Sequence, residues 1–405
     1  MLVHWIWYAM LPKLSLRQKQ MLLEHFSDPE DIFHTEHFTE ALLSPECETA
    51  LSNKDLTQAY RVIRECSEKH ISILTQKDAA YPSRLKNIAD PPLVLYYRGV
   101  LPDFEGQPVI AVVGTRKASA YGMNNARKIS AQIAVCGGLV VSGGASGIDT
   151  MALQGALDAG QQTVAVLGCG VDVVYPKANR NLFGRIEEHG CLLSEYLPGT
   201  EPKPWQFPER NRILSGLSDG VLVVEAPEKS GALITARSAY DQGRDVFAIP
   251  GNIDIPTFMG SNALLQDCAG AVISGWDVLK GYESRYPMVK KREVPFQAGY
   301  TREESPPKLK VAQERLIPVL ADHTDKKGID NSKTSAYIDL EKVLATLEPE
   351  ERKVYSCLKS EPQSVDAVIA QLGIPAGRVL SILTKLALKG VAVNHPGRLV
   401  SAKKQ

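Results

Sequence analysis

The chain has 405 residues, of which 44% are hydrophobic and 23% are charged, so it is long enough for two or three domains with their own cores. Its 46 basic and 46 acidic residues give a formal net charge of zero. Net charge therefore gives no sign of a nucleic-acid or membrane partner, and any anion site must be a local patch.

The first 70 residues show short amphipathic helical patterns separated by turns such as SDPED: WIWYAML, LRQKQMLLEHF, EDIFHTEHF and KDLTQAYRVIREC. They predict a small helical domain over residues 1–70 with a structural or docking role. The opening MLVHWIWYAMLP is apolar but ends at Pro12, short of the roughly 20 residues that span a bilayer. No later segment is long and apolar enough either, so we expect no membrane partner.

Residues 71–282 are predicted to form an extended Rossmann-like domain. After the strand-like ISILT and LVLYYRG, a series of apolar runs alternates with helical patterns: VIAVVG, LVVSGG, TVAVLG, CLLSE, GVLVVEA, DVFAIPG and AVIS. Nearly continuous apolar strands indicate burial on both faces of a parallel sheet. The predicted fold class is therefore α/β, with a doubly wound parallel sheet whose loops converge on one crevice.

Composition changes after the sheet. Residues 283–339 are rich in Lys, Glu, Pro, Ser and Asp, which predicts a flexible linker. Residues 340–405 show three helical patterns and then a hairpin with His395-Pro396-Gly397 as its turn, the layout of a winged helix. Arg378 and Lys385 lie on the polar side of the third helix, so this domain binds either DNA or only protein.

Two glycine-rich loops follow predicted strands. Gly114-Thr115-Arg116 lets the backbone approach a ligand and adds a guanidinium group matched to phosphate oxygens. The second loop begins Ser142-Gly143-Gly144 and opens into another helix. Together the two loops predict an anion site, because backbone N–H groups at helix starts bind phosphate.

Further polar groups follow the later strands of the sheet. Lys177 and Asn179 lie at a third strand-to-helix turn. A fifth loop contains Glu225, which could bind a sugar hydroxyl or form a structural contact, and we favour the structural role. The other candidate binding residues of these turns are Arg210, Asn211, Arg212, Ser230 and Gly231. Four basic clusters on one sheet edge suit several phosphates better than one.

Several kinds of chemistry are poorly supported by the same loops. Neither GxGxxG nor GxxxxGK[ST] occurs, which disfavours a dinucleotide or ATP cofactor. No histidine falls in the central loops, so acid–base or Ser-His catalysis has little support. The seven cysteines are scattered, without CxxC spacing or clustered histidines, so we expect no metal, no disulfides and a cytoplasmic setting.

Taken in order, GTRKASAYG, SGGASGID, GCGVDVVYPKANRNL, FPERNRILSGLSDGVLVVEA, KSGALITARSA, GRDVFAIPG and GSNALL resemble the DprA/Smf family of DNA-processing proteins over about 160 residues. The N-terminal helices resemble the family's sterile-alpha-motif-like domain, and the C-terminus resembles its winged helix.

The resemblance implies a non-enzymatic protein that binds single-stranded DNA, forms a homodimer and loads the RecA recombinase in natural transformation. By motif, Arg116, Lys177, Arg210 and Arg212 would contact backbone phosphates. The residues that would shape the pocket are Gly114, Ser142, Gly143, Gly144, Asn179, Asn211, Ser230 and Gly231. Dimer contacts would fall near Ile255–Leu265.

Two other hypotheses stay open. One is an enzyme of the nucleotide-phosphoribohydrolase type, although the chain has SGGASGID where that class is expected to carry PGGxGTxxE. The other is an adaptor whose sheet binds only a protein partner. Near the basic loops, Tyr121, Tyr175 and Phe207 are candidates for stacking bases, while Phe183 is better explained as a core residue.

Overall fold

The computed structural model describes residues 1–36, 38, 43–267, 269–293, 347–374, 376–389, 391–395 and 399–403. The chain divides into two compact units, Met1–Val294 and Pro295–Gln405. Within the described ranges, no helix combines the length and the apolar character that crossing a bilayer requires.

The first unit begins with helices that cover one edge of a sheet. Their bounds are α1 Leu2–Met10, α2 Leu16–Phe26, α3 Pro29–His34, α4 Pro45–Ser52 and α5 Thr57–Glu68. Ser15, Asp28 and Ser44 cap the second, third and fourth helices through their side-chain oxygens. The core of these helices includes Trp5 and Tyr8, and it continues into the sheet.

The sheet of the first unit has nine strands. They are β1 Ser72–Thr75, β2 Val94–Gly99, β3 Val109–Val113, β4 Leu139–Ser142, β5 Thr163–Val166, β6 Cys191–Ser194, β7 Gly220–Val223, β8 Asp245–Ala248 and β9 Gly270–Ala271. The spatial order is β1-β2-β6-β5-β4-β3-β7-β8-β9. The β1/β2 and β2/β6 pairs are antiparallel and the remaining pairs are parallel. The first two strands therefore close one edge of a parallel sheet.

Helices cover both faces of the sheet, which confirms the doubly wound fold. They are α6 Ser83–Lys86, α7 Ala120–Val135, α8 Ile148–Asp158, α9 Arg180–His189, α10 Gln206–Leu217, α11 Gly231–Asp241, α12 Met259–Gln266 and α13 Gly275–Leu279. Val109, Ala111 and Val113 of β3 share a core with α10 and α11, whereas the alternate residues Ile110 and Val112 pack with α7 and α8. Successive side chains of β3 thus point to opposite faces of the sheet and contribute to the core on each face.

The last strand is shorter and lies earlier than the predicted AVIS. It consists of Gly270 and Ala271, after which the Val272 amide still donates to Ala248 at 3.0 Å. Ser274 then forms a capping box with Asp277 at the start of α13. The chain turns there because the capping residues commit it to a helix.

A buried carboxylate connects distant parts of this unit. Asp219 Oδ2 accepts hydrogen bonds from Arg84 Nη1 at 2.6 Å and the Val109 amide at 2.8 Å. Its Oδ1 accepts from the Tyr286 hydroxyl at 3.1 Å and Arg285 Nη1 at 3.2 Å. One side chain therefore connects α6, which lies between β1 and β2, with strand β3 and with the segment after the sheet.

Residues 283–293 pack against the sheet instead of starting a linker. Tyr286 and Val289 are buried in the core that contains Ile110, and the Lys290 amide donates to Cys136 at 3.1 Å. The prediction of a linker from residue 283 is therefore wrong for this segment, because its few apolar side chains fill the core. Residues 294–339 of the predicted linker lie outside the described residues.

The second unit has the winged-helix layout. Its helices are α14 Pro349–Ser356, α15 Val365–Leu372 and α16 Ala376–Leu388, and its strands are β10 Gln363–Ser364, β11 Ala392–His395 and β12 Leu399–Ala402. The strands pair antiparallel in the order β10-β12-β11. Arg378 forms an ion pair with Glu350 at 3.0 Å, whereas Lys385 is exposed. The centre of the predicted turn, residues 396–398, lies outside the described residues.

Candidate nucleic-acid interface

The direction of strand addition reverses between β3 and β7. After β3 the chain adds β4, β5 and β6 on one side, and it then returns to place β7 on the other side of β3. In open α/β sheets, ligands bind at this switch point, beyond the carboxyl ends of the strands. The segments that follow β3, β4, β5, β6 and β7 all emerge at that edge and carry the predicted site residues.

Glu225 fixes the loop after β3. Its carbonyl oxygen accepts from the Thr115 amide at 2.8 Å, and its fully buried carboxylate accepts from the Ser119 amide and hydroxyl at 3.0 and 2.8 Å. Ser119 in turn caps α7 by accepting from the Gly122 amide at 3.0 Å. The structural role predicted for Glu225 agrees with these contacts, which leave Arg116 exposed at the tip of a rigid loop.

Close packing below this loop requires glycine. A Cβ placed on Gly114 would lie 2.5 Å from Cγ1 of Ile148. Gly147 has a φ of +81°, and a Cβ there would lie 2.5 Å from the Thr115 carbonyl oxygen. The loops after β3 and β4 therefore touch through backbone atoms, which brings two helix N-termini together at the crevice.

The Ser142-Gly143-Gly144 segment is buried. The Ser142 hydroxyl donates to the Val112 carbonyl at 2.7 Å, so it connects neighbouring strands. Gly144 adopts a φ of +67°, and its carbonyl accepts from Nδ2 of Asn179 at 2.9 Å. Asn179 also bonds Thr150 and is itself buried. These residues shape the loop from behind and present no side chain to solvent.

Lys177 and Tyr175 lie on the outer side of the loop after β5. Lys177 begins a 3₁₀ turn over Lys177–Asn179. Lys177 and Tyr175 are both exposed. The Tyr175–Pro176 peptide bond is cis. The Tyr175 ring packs against Phe207, with 5.5 Å between ring centroids, and the Arg116 guanidinium lies 5.1 Å from the same Phe207 ring. Arg116 and Tyr175 therefore meet at one aromatic side chain.

The two arginines of α10 are engaged within the protein. Arg210 is buried, and its Nη1 donates to the Gly143 carbonyl at 2.7 Å and to the Val166 carbonyl. Arg212 binds both carboxylate oxygens of Glu195, at 2.5 and 2.7 Å. In this structure neither guanidinium extends into solvent at the crevice as Arg116 does.

A buried charge pair lies under the second loop. Burial raises the pKa of Asp149 to about 6, against the opposing influence of Arg210, and burial lowers the pKa of Arg210 to about 10. A Cβ on Gly143 would lie 2.5 Å from Arg210 Nη2 and 2.6 Å from Asp149 Oδ2. Glycine at that position therefore allows the pair to sit directly against the backbone.

The remaining candidates lie at the start of α11. Ser230 caps this helix by accepting from the Ala232 amide at 3.3 Å. The Gly231 carbonyl accepts from Nδ2 of the buried Asn211 at 3.3 Å, and Gly231 itself is exposed. Asn211 thus joins α10 to α11.

The structure brings the predicted residues to one edge and sorts them by exposure. Arg116, Lys177 and Gly231 are accessible, Gly114, Arg212 and Ser230 are half-buried, and the others are buried: Ser142, Gly143, Gly144, Asn179, Arg210 and Asn211. Sequence reasoning missed Glu195 as the partner of Arg212. A weak signal was available, because Glu195 directly follows an apolar strand and so lies at the same sheet edge. Among the described residues, no cluster of His, Cys, Asp or Glu has the arrangement of a metal site.

Exposed basic side chains lie beside glycine-rich helix starts at the switch point of a doubly wound sheet, an arrangement typical of α/β proteins that bind phosphate groups. The family model described as DNA recombination-mediator protein A matches residues 72–283, and the DprA winged helix domain matches residues 340–398. The chain belongs to this DprA/Smf family, which confirms the resemblance found in the sequence.

Individual relatives agree with this assignment. Protein Smf of Synechocystis sp. is 33% identical over 358 residues, which cover 86% of this chain and 85% of that protein. DNA processing protein DprA of Streptococcus pneumoniae is 46% identical over 211 residues, covering 51% of this chain and 72% of that protein. The X-ray structure of DNA processing protein A from Streptococcus pneumoniae has a TM-score of 0.60 at 35% identity and covers 69% of this chain and 98% of that chain.

Proposed function

We propose that this protein binds single-stranded DNA at the switch-point crevice and carries out no chemistry on it. The observation that supports this most directly is the group formed by Arg116, Phe207 and Tyr175, with Lys177 exposed two residues beyond the tyrosine. Binding without sequence preference requires cationic groups for phosphates and aromatic surfaces for bases. The names of its relatives, DNA processing proteins, agree with such a ligand.

Exposure and existing contacts favour only some of the candidate residues as direct contacts of the DNA strand. Arg116 and Lys177 contact successive phosphates, and the Tyr175 ring, 40% exposed, is the surface for a base. Arg210 and Arg212, which the family motif suggested as phosphate contacts, are proposed instead to hold the crevice in shape. Their guanidinium groups are already bound to carbonyl and carboxylate oxygens.

Fluorescence anisotropy with a labelled single-stranded oligonucleotide and its duplex tests the proposal. We expect tighter binding of the single strand, with an affinity that falls steeply as salt rises, because each phosphate contact releases a counterion. Arg116→Ala is expected to reduce the slope of log affinity against log salt by about 0.7. Equal binding of the duplex, or salt-independent binding, would contradict the proposal.

The same assay separates the competing hypotheses. A nucleotide hydrolase would bind mononucleotides and turn them over, which chromatography of a nucleotide incubated with the protein would detect. An adaptor that binds only protein would leave the oligonucleotide anisotropy unchanged at any salt concentration. Either result would replace the single-strand proposal.

We further propose that the protein acts as a homodimer in the cytoplasm and loads RecA recombinase onto the bound strand in natural transformation. Ile255 and Met259 expose 38% and 45% of their surface near the predicted dimer contacts. Light scattering of Met259→Asp is expected to show a monomer where the parent chain is a dimer.

Loading of RecA is tested by the rate of ATP turnover by RecA on strands precoated with a single-strand-binding protein. A faster rate when this protein is added would support loading, and an unchanged rate would argue against it.

A further inference from the structure

Phe207 is the one aromatic contact of the Arg116 guanidinium among the described residues. Its ring centroid lies 5.1 Å from Arg116 Cζ, a distance at which a cation is attracted to the face of the ring. Phe207 is the second residue of α10 and is half-buried. The ring therefore belongs to a rigid helix, whereas Arg116 lies on a loop.

The surroundings of Phe207 fix its ring in place. Tyr175 packs against it at 5.5 Å between centroids, with a tilt of 42°. A Cβ on Gly168 would lie 3.0 Å from Phe207 Cδ1 and 3.2 Å from Cε1, closer than such contacts normally come. The absence of a side chain at Gly168 thus leaves the space that the ring occupies.

Arg116 differs from the arginines of α10 in its polar contacts. Within the part of the chain that the structure describes, its guanidinium forms neither a hydrogen bond nor an ion pair, while Arg212 is paired with Glu195 and Arg210 with carbonyl oxygens. An exposed arginine without a polar partner has many rotamers to lose when it binds a ligand. A ring that attracts the guanidinium restricts those rotamers and leaves all five N–H donors available.

We propose that Phe207 is a positioning residue: it holds the Arg116 guanidinium over its ring at the mouth of the crevice, ready for one backbone phosphate. The inference rests on the proposed function, since it assigns Arg116 a phosphate of single-stranded DNA. Positioning lowers the entropic cost of binding, as preorganised contacts do in general. Phe207 need not touch the DNA for this role.

Four variants test the inference by anisotropy with single-stranded DNA: Phe207→Leu, Phe207→Tyr, Arg116→Ala, and the double variant Phe207→Leu with Arg116→Ala. Leucine keeps an apolar side chain and removes the ring, and we expect about two- to fivefold weaker binding. Tyrosine keeps the ring and is expected to bind as the parent chain does. The double variant is expected to bind no more weakly than Arg116→Ala, because Phe207 acts through Arg116.

A purely structural role for Phe207 predicts another pattern. Loss of packing alone would make the Phe207→Leu effect persist in the double variant, and this additivity would overturn the inference. Parent-like binding by Phe207→Leu would also overturn it. If the parent chain itself does not bind single strands, the proposed function fails. The contact between Phe207 and the Arg116 guanidinium must then be tested by a measurement that needs no DNA.

Nuclear magnetic resonance provides that DNA-free measurement. The side-chain Nε–Hε signal of Arg116, assigned by its loss in Arg116→Ala, is expected to show a ring-current shift that disappears in Phe207→Leu and returns in Phe207→Tyr. An unchanged signal in Phe207→Leu would show that the ring does not hold the guanidinium. Urea unfolding of each variant controls for loss of the folded state.

Discussion

Replacing Asp219 by alanine is expected to destabilise the Met1–Val294 unit by about 3–5 kcal/mol, because it leaves a buried arginine without its carboxylate. The side chains of Arg84 and Asp219 are only 4% and 3% exposed. The substitution also removes the acceptor of the Val109 amide at 2.8 Å and of the Tyr286 hydroxyl at 3.1 Å. Each buried polar group left unsatisfied costs about 1–3 kcal/mol, in agreement with the expected total.

Urea unfolding followed by tryptophan fluorescence measures this loss directly. Trp5, Trp7, Trp205 and Trp276 are the four tryptophans of the chain, and all lie within Met1–Val294, so the signal reports on that unit. We expect a lower unfolding midpoint for Asp219→Ala.

Asp158 provides a matched control for this variant. It also binds two arginines, Arg127 at 2.5 Å and Arg185 at 3.0 Å, but its side chain is 29% exposed. Asp158→Ala is expected to cost at most about 1 kcal/mol, because water can replace the lost partner. Similar losses in Asp158→Ala and Asp219→Ala would refute the argument that burial sets the cost.

The remaining predictions concern the crevice. Lys177→Ala is expected to reduce the salt slope of single-strand binding by about 0.7, while Lys128→Ala on the exposed side of α7 leaves it unchanged. Gly147→Ala is expected to weaken binding in the same titration, because its Cβ would lie 2.5 Å from the Thr115 carbonyl oxygen in the loop that carries Arg116. Gly160→Ala is the control, because Gly160 also has a positive φ but has open space around the added Cβ. It is expected to lower the free energy of unfolding by about 1–2 kcal/mol and to leave binding intact. Burial raises the pKa of Asp149 from 3.8 to about 6, so the folded chain holds a proton that the unfolded chain releases between those values. This contribution to stability is complete below pH 4 and is lost as pH rises through 6. The urea midpoint of the parent chain is therefore expected to fall relative to that of Asp149→Asn between pH 4 and 7, and a constant difference would contradict the assignment.

The arrangement of the sheet was predictable because its signal is strong and local. Runs such as VIAVV and VLVV are buried on both faces, so they stay apolar without alternation, and Gly114, directly after the first run, marks the start of a loop. The packing of residues 283–293 was not predictable from composition. Tyr286 and Val289 are two core residues in a mostly polar segment, and an average over that segment conceals them.

The sequence located the edge of the site but did not separate accessible cations from buried ones. Arg116 and Arg210 look equivalent as residues of the same motif set, yet only Arg116 is exposed. A helical period gives the missing signal: Arg210 lies three, four and seven residues before Ile213, Leu214 and Leu217, on the stripe that faces the core. A charge on an apolar stripe indicates an internal contact. The Arg116–Phe207 pair had no such signal, because its members are 91 positions apart.

The N-terminal helices share their core with a strand of the sheet, and this limits how the chain can be shortened. Val94 and Tyr96 of β2 are buried in the same cluster as Trp5 and Tyr8. A chain beginning at Ser72 would expose that apolar face of β2 to water, and large exposed apolar patches recruit neighbouring molecules. The change from helices to strands near residue 70 is therefore a change of secondary structure and not a boundary between separate cores. A protein truncated there is expected to aggregate.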